Sequence, residues 1–361
     1  VGSEIVITAK DSAAATLTDY TGVITLSTST GNGDWTAPNT TSDAAQGTFS
    51  PGAADSGSAT YTFVAGDSGS VALLLSNTHA ETLTMTVADT SASVSAVSGN
   101  LVFSDNAFVI TPTTGGGDNV VAGRNHVFQI QMMRRDTSQS PANCAVATGY
   151  NNASQALKAW IVRDGSDPGG VLPTLGEQTA ALGNGSAPGA NNLALNFSTV
   201  PGQSSLTLQT TDVGKYVLHI RDDTGGFAAG NINGATNTLT TRPFGYDVQV
   251  TGNPGGTNSG GAVFRSAGSD FTVTVRAVQW ESADDDGSPF GTAGDGIPDG
   301  HEPGETNPQF TANLADNNVT PAYGTESSVE VVNLNALLNN PAGGNDPGLS
   351  GGTSISGFSA G

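Results

Sequence analysis

Short runs in which apolar and polar side chains alternate recur along this chain. Ile5, Ile7 and Ala9 alternate with Val6, Thr8 and Lys10. Val23–Thr28, Ala59–Val64, Val71–Leu75 and Leu83–Val87 follow, rich in Thr, Val and aromatic residues. A period of two sends successive side chains to opposite faces of a strand. Clusters of Gly, Asn, Asp and Ser separate the runs at spacings of roughly 8–20 residues, the rhythm of a β-sandwich. Thr suits such strands because it is β-branched and can face water from the outer side of a sheet. The pattern predicts an all-β chain of tandem immunoglobulin-like antiparallel β-sandwich domains.

Helical signals are few. Ser154–Arg163, SQALKAWIVR, admits a helix, yet Leu157, Ala159 and Ile161 alternate with Lys158, Trp160 and Val162, which predicts a strand from Leu157. Asn333–Asn340, NLNALLNN, predicts a short helix or helical turn. Three blocks emerge: 1–105, an immunoglobulin-like domain; 106–250, a second β-sandwich; and 251–361, a β-rich domain with an acidic loop. A Gly/Asn/Pro-rich linker, Thr251–Gly261, precedes the third, and each block holds one tryptophan: Trp35, Trp160 and Trp280.

Asp212–Val213–Gly214–Lys215–Tyr216–Val217–Leu218 reads as the D-x-G-x-Y corner of an immunoglobulin-like sandwich. There a tyrosine hydroxyl reaches back to backbone and the residue two further on enters the core. In antibody domains that residue is cysteine; here it is Leu218. Trp160 stands upstream in a strand-like run, where such folds place a core tryptophan. Asp67–Ser68–Gly69–Ser70–Val71 is a weaker echo with valine in place of tyrosine. These corners inform on fold and carry no chemistry.

Charged residues are only 12% of the 361, about half the usual share. Short neutral polar residues replace them, as in exported fibrous and adhesive proteins. The net charge of −21, from 11 basic and 32 acidic residues, argues against nucleic acid and anionic membranes as partners. It favours cations, calcium above all, and it also serves solubility. The single cysteine, Cys144, allows no intramolecular disulfide and no multi-cysteine zinc site. Within the apolar run Ala142–Ala147 it is expected to pack as a small hydrophobe. No apolar run approaches the length of a membrane span, so none is expected in this segment. The start reads as a strand without a signal-peptide core, as in a processed protein or a segment of a longer one.

From Ala277 onward there are 12 acidic residues and no Lys or Arg. The densest stretches are Asp284–Asp285–Asp286–Gly287 and Gly294–Asp295–Gly296–Ile297–Pro298–Asp299–Gly300–His301–Glu302. Calcium takes roughly six to eight oxygens, often from Asp at alternate positions with Gly permitting a tight turn. Asp284, Asp286, Asp295, Asp299 and Glu302 are the candidate calcium ligands, although the full EF-hand spacing is missing. A solvated acidic loop is the alternative reading.

Catalytic patterns are lacking. His79, His126, His219 and His301 fall outside H-x-x-x-H and H-E-x-x-H spacing. Neither a G-x-S-x-G elbow nor a phosphate-binding loop occurs. Paired carboxylates for glycoside hydrolysis have no supporting motif. Five N-x-S/T triplets, at Asn39, Asn152, Asn184, Asn196 and Asn318, are expected by chance in this composition.

Several stretches carry a resemblance: ITLSTSTGNGDW (Ile24–Trp35), ATYTFVAGDSG (Ala59–Gly69), THAETLT (Thr78–Thr84), FSDNAFVI (Phe103–Ile110), NCAVATGY (Asn143–Tyr150), LKAW (Leu157–Trp160), DVGKY (Asp212–Tyr216), TTRPFG (Thr240–Gly245), and RAVQW with its trailing acidic loop. In this order they resemble the C-terminal region of the MSHA-type pilus biogenesis protein Q (MshQ) family. The first block alone resembles the immunoglobulin-like domains of bacterial invasin-type adhesins. The resemblance implies a large exported protein of Gram-negative bacteria linked to an attachment pilus, and it transfers no catalytic residue.

The function expected is a non-catalytic, extracellular surface or pilus-associated protein, structural or adhesive. Its partners are other protein subunits or surface ligands. A subunit or decoration of a filament, self-associating in a fibre, is one alternative, and a carbohydrate-binding module is another.

Overall fold

The computed structural model describes residues 3–37, 47–136, 143–228, 230–254, 262–266, 269–287, 292–300, 312–326, 332–334, 353–355 and 358. The chain forms two compact units, 1–107 with 133–146, and 108–132 with 147–361. Apart from two short 3₁₀ segments, Ala65–Asp67 and Ser282–Asp284, the regular structure of the described residues is all β. Ten strands precede residue 105: β1 (Ser3–Thr8), β2 (Val23–Thr28), β3 (Asp34–Thr36), β4 (Thr48–Pro51), β5 (Ala59–Thr62), β6 (Ser70–Ser76), β7 (Thr82–Leu83), β8 (Met85–Asp89), β9 (Val94–Val97) and β10 (Leu101–Val102).

In the first unit the alternation becomes two larger sheets, ordered β1-β6-β3 and β4-β5-β2-β8-β9, beside the short pair β10-β7. Strand β2 shows the cause: Ile24 and Leu26 point inward while Val23, Thr25 and Ser27 face out. With Trp35, Tyr61, Phe63, Leu73 and Leu75 they form one buried cluster. Trp35 satisfies its indole by donating to the Gly57 carbonyl at 3.0 Å. At the corner after β5, Asp67 does the joining. It accepts from the Tyr61 hydroxyl at 2.9 Å and the Val64 amide at 2.9 Å. The corner's tyrosine thus comes from the preceding strand, which is why Val71 can replace it in the motif.

The following strands are β11 (Asn106–Pro112), β12 (Asn119–Val121), β13 (His126–Asp136), β14 (Asn143–Val146), β15 (Gln155–Arg163), β16 (Thr174–Leu175), β17 (Gly183–Asn184), β18 (Leu193–Leu195) and β19 (Gln203–Gln209). Then come β20 (Gly214–Asp222), β21 (Ile232–Ala235), β22 (Leu239–Arg242), β23 (Gly245–Val250), β24 (Val273–Val278), β25 (Val332–Leu334) and β26 (Thr353–Ile355). Within the first unit, the end of β13 pairs antiparallel with β14, Arg135 opposite Cys144. Cys144 is exposed there. The expectation that it packs inward is corrected: it lies on the short strand β14, which among the described residues joins the sheet through β13 alone.

The strand predicted from Leu157 is β15, paired antiparallel with β20 so that Ala159 faces Ile220 and Ile161 faces Leu218. These residues and Leu157 pack with Phe128, Ile130, Leu206 and Leu208 from β13 and β19 in one large core. Tyr216 and Leu218 lie in that core as the corner motif predicts. The Tyr216 hydroxyl faces the Thr241 hydroxyl at 3.4 Å, and among the described residues it has no backbone partner. The cause is β22, which pairs with the start of β20 and turns Thr241 inward. Trp160 has the opposite parity to Ala159 and Ile161, so it lies on the outer face, against the imidazole of His219 at 5.0 Å.

The C-terminal part of this unit is built on small contacts. β23 and β24 pair antiparallel. Val121, Phe244, Val278 and Leu314 form one cluster, and Val213, Ala277, Ala322 and Tyr323 another. The buried Asp212 of the corner motif accepts from the Ala322 amide at 2.9 Å. Of the helical turn predicted over Asn333–Asn340, the first two residues close strand β25, and 335–340 lie outside the described residues.

Candidate functional site: the acidic loop

The acidic residues after β24 lie against the rest of the second unit. The chain leaves β24 through Trp280, whose amide donates to the Ala122 carbonyl at 2.7 Å. The 3₁₀ turn Ser282–Asp284 then delivers three consecutive aspartates. Their environments differ: Asp284 and Asp285 are buried and Asp286 is exposed. Asp285, only 3% exposed, is the centre of the loop. It accepts from the Trp280 indole at 2.6 Å and from the amides of Gly294, Asp295 and Gly296 at 2.9, 3.2 and 3.0 Å. Asp284 accepts from the Asn313 amide at 2.7 Å. Asp299 accepts from the amides of Asp286 at 3.0 Å and Gly287 at 3.2 Å. Successive amide dipoles aimed at a carboxylate make a local positive potential, which lets these buried charges coexist.

Of the candidate calcium ligands, Asp284, Asp295 and Asp299 are brought into one loop with their carboxylates turned to amides, and Asp286 lies beside them. Asp295, half-buried, accepts from the Ile297 amide at 2.8 Å. Glu302 lies outside the described residues. Among the described residues no group of three or more His, Cys, Asp and Glu side chains is arranged to hold a metal ion. Asp285, absent from the candidate ligands, organises the loop. The signal in the sequence was its place at the middle of an acidic triplet with a tryptophan five residues upstream.

Two arginines grip the loop from outside. Arg242 donates to the Gly296 carbonyl at 2.8 Å, and Arg124 donates to the Gly294 carbonyl. Gly296 has φ +86, a backbone conformation that favours glycine. Beneath them His126 is buried, its Nε2 accepting from the Val121 amide at 2.9 Å. Burial first, then the charges of Arg124 and Arg242, pull its pKa down to about 4.

On the outer face of β15 and β20, Trp160 stacks on His219 at an interplanar angle of 8°, with the Arg221 guanidinium 5.1 Å from the Trp160 ring centroid. Lys158 pairs with Asp223 at 2.6 Å beside them. This cluster leaves the tryptophan 7% exposed.

These units are immunoglobulin-like β-sandwiches. Residues 88–238 match the family described as domain of unknown function DUF6701, first Ig-like domain, and residues 242–361 match DUF6701, second domain. The chain carries both DUF6701 domains in order. No curated protein matches it. Among solved structures it is similar to the D0-D1 domain of Intimin, at 11% identity and a TM-score of 0.27 over 66% of this chain and 88% of that one. It is also similar to the adhesin InvE of Yersinia pseudotuberculosis, at 12% identity and a TM-score of 0.23, covering 67% of this chain and 55% of that one. For the S-layer protein SbsC, domains 4 and 5, the values are 10%, 0.17, 65% and 78%. TM-scores at this level carry no argument about function.

Removing the Asp285 carboxylate leaves the Trp280 indole and the amides of Asp295 and Gly296 without their acceptor, while the Gly294 amide keeps the Asp285 carbonyl. Asp285→Ala is expected to cost about 3 kcal/mol or more in denaturant unfolding. A neutral result would mean the loop holds without it. His126 gives a pH signature. Its folded pKa lies below the usual 6.5, so stability is complete above that value and falls as pH drops from 6.5 towards 4. The expected loss is on the order of 3 kcal/mol. His126→Gln, which retains an acceptor for the Val121 amide, should show a shallower fall over the same window than the native chain.

Proposed function

We propose that this chain is a non-catalytic part of a bacterial surface protein with a structural or adhesive role. The observation that carries this reading is the division of labour within each strand. Inward positions fill a core, while outward positions in strands such as β2 and β5 are largely short neutral residues, among them Thr25, Ser27 and Thr60. Such modules are stiff and leave their loops free to present contacts. The resemblance to the MshQ family supports an association with an attachment pilus.

A filament subunit or decoration is the second reading, and the sheet edges favour it. β1 ends one sheet of the first unit and β9 ends the other. Val6, Val94 and Val97 on these strands are exposed. An edge strand of this kind can pair with a strand of another chain.

The reading is tested by antibody against the full chain on intact cells of the source bacterium. Labelling without permeabilisation, removed by external protease, is expected; labelling only after permeabilisation overturns it. Calcium binding by the acidic loop belongs to the same proposal. It is supported by Asp286 and Asp295, the carboxylates at the loop's more exposed side. Millimolar calcium is expected to raise the melting temperature of the full chain, and Asp295→Asn to remove the rise. A melt unaltered by calcium and by chelation overturns the calcium part and leaves surface display intact.

A further inference from the structure

Within the second unit, a cleft of about 360 Å³ opens beside β22 and the start of β20, lined by Lys215, Thr240, Arg242, Tyr246, Tyr323 and Glu326 among others. The volume is in the range of small-ligand sites, roughly 300–1,000 Å³. One wall is aromatic and fixed. The hydroxyls of Tyr246 and Tyr323 share a hydrogen bond of 2.7 Å, and their rings meet edge to face at 5.7 Å. Tyr323 is in turn backed by Phe358, ring centroids 5.0 Å apart. Tyr323 is buried, whereas Tyr246 is 36% exposed.

Polar groups line the same cleft. Lys215 is held 3.6 Å from Asp164 and 3.4 Å from the Ser166 hydroxyl. Arg242 is fixed through the carbonyls of Pro243 and Gly296. Glu326 differs from both. One of its carboxylate oxygens is buried and has no hydrogen-bond partner among the described residues. A buried acceptor without a donor is costly, and Glu326 lines the cleft, where an entering group can supply one.

The charges restrict what that group can be. Lys215 and Arg242 oppose an ammonium. Glu326, in a chain of net charge −21, opposes a phosphate or carboxylate. A neutral hydroxyl meets both conditions: it donates to Glu326 and accepts from Lys215. The exposed Tyr246 ring takes the C–H face of a ring that carries such hydroxyls. We infer that this cleft binds a neutral sugar ring, with Glu326 accepting from its hydroxyls and Tyr246 packing on its face. The inference deepens the adhesive reading and rests on it.

The test uses the full chain, isotope-labelled and titrated by NMR with glucose, galactose, mannose, N-acetylglucosamine and lactose. At least one sugar should give saturable shifts in the millimolar range at amides around Lys215, Thr240 and Glu326. Glu326→Ala should weaken that binding at least tenfold while leaving the melting temperature unchanged or higher, because the lost carboxylate oxygen served no partner in the fold. Tyr246→Ala should also weaken it. The inference is overturned by absent shifts with every sugar, by shifts that map elsewhere, or by undiminished binding in Glu326→Ala. It is equally overturned if inorganic phosphate occupies the cleft more tightly than the sugars. Antibody labelling of intact cells remains an independent readout, so a failed titration removes the sugar site and leaves surface display standing.

Discussion

Aspartate carboxylates closed over turn amides are the interaction on which this structure depends. Several corners are made this way. Asp67 collects the Tyr61 hydroxyl and the Val64 amide. Asp89 collects the Tyr20 hydroxyl and the amides of Ser91 and Ala92. The bond from Ser91, followed by that from Tyr20, holds its pKa at about 2. Asp222 takes the Tyr150 hydroxyl at 2.7 Å and the Thr224 amide at 2.9 Å. Asp212, Asp285 and Asp299 repeat the device in the second unit. The physical need is plain. A chain built of strands has many turn amides without ladder partners, and buried amides must be paired. With one cysteine, an intramolecular disulfide is excluded, and a short carboxylate that accepts several N–H groups at once ties the turns instead.

This arrangement changes the meaning of the net charge. Much of the acidity is internal and structural, so it cannot be read as a solvent-facing field alone. The few basic residues gain weight in consequence. Arg124 and Arg242 use their guanidiniums to hold carbonyls of the acidic loop. Arg276 pairs with Asp247 across β23 and β24. Lys158 and Arg221 cover the outer face around Trp160. With turns and loop ends fixed from within, the outward strand positions and the rims of clefts are free to vary without loss of fold. That freedom suits a surface module, where contacts are made by whatever the rigid frame displays.

Alternation along single strands was sufficient to reveal the fold class. Ile24 and Leu26, or Leu157, Ala159 and Ile161, state their face without reference to any partner, because the pleat has a period of two. The corner motif placed Tyr216 and Leu218 in the core for the same local reason. Trp160 shows how far that logic reaches. Its parity with Lys158 and Val162 put it outside, and parity outweighed the habit of sandwich folds to bury a tryptophan in the core. Parity could not reveal that His219 and Arg221 would cover the ring, since they arrive from a strand about sixty residues away.

The acidic loop marks the limit. Its sequence determined that many carboxylates would crowd a glycine-rich stretch, and only its place in the triplet, five residues after Trp280, set Asp285 apart from its neighbours. Their different fates follow from Trp280 and the amides of Gly294, Asp295 and Gly296, which meet around one carboxylate only when the loop folds back on β24. The cleft at Glu326 is of the same kind: Lys215, Arg242, Tyr246 and Tyr323 are scattered over more than a hundred residues. Local side-chain order follows from the chain itself because strand geometry is periodic. Which donors surround a given acceptor was decided by tertiary packing alone, because hydrogen bonds depend on positions in space that sequence separation does not encode.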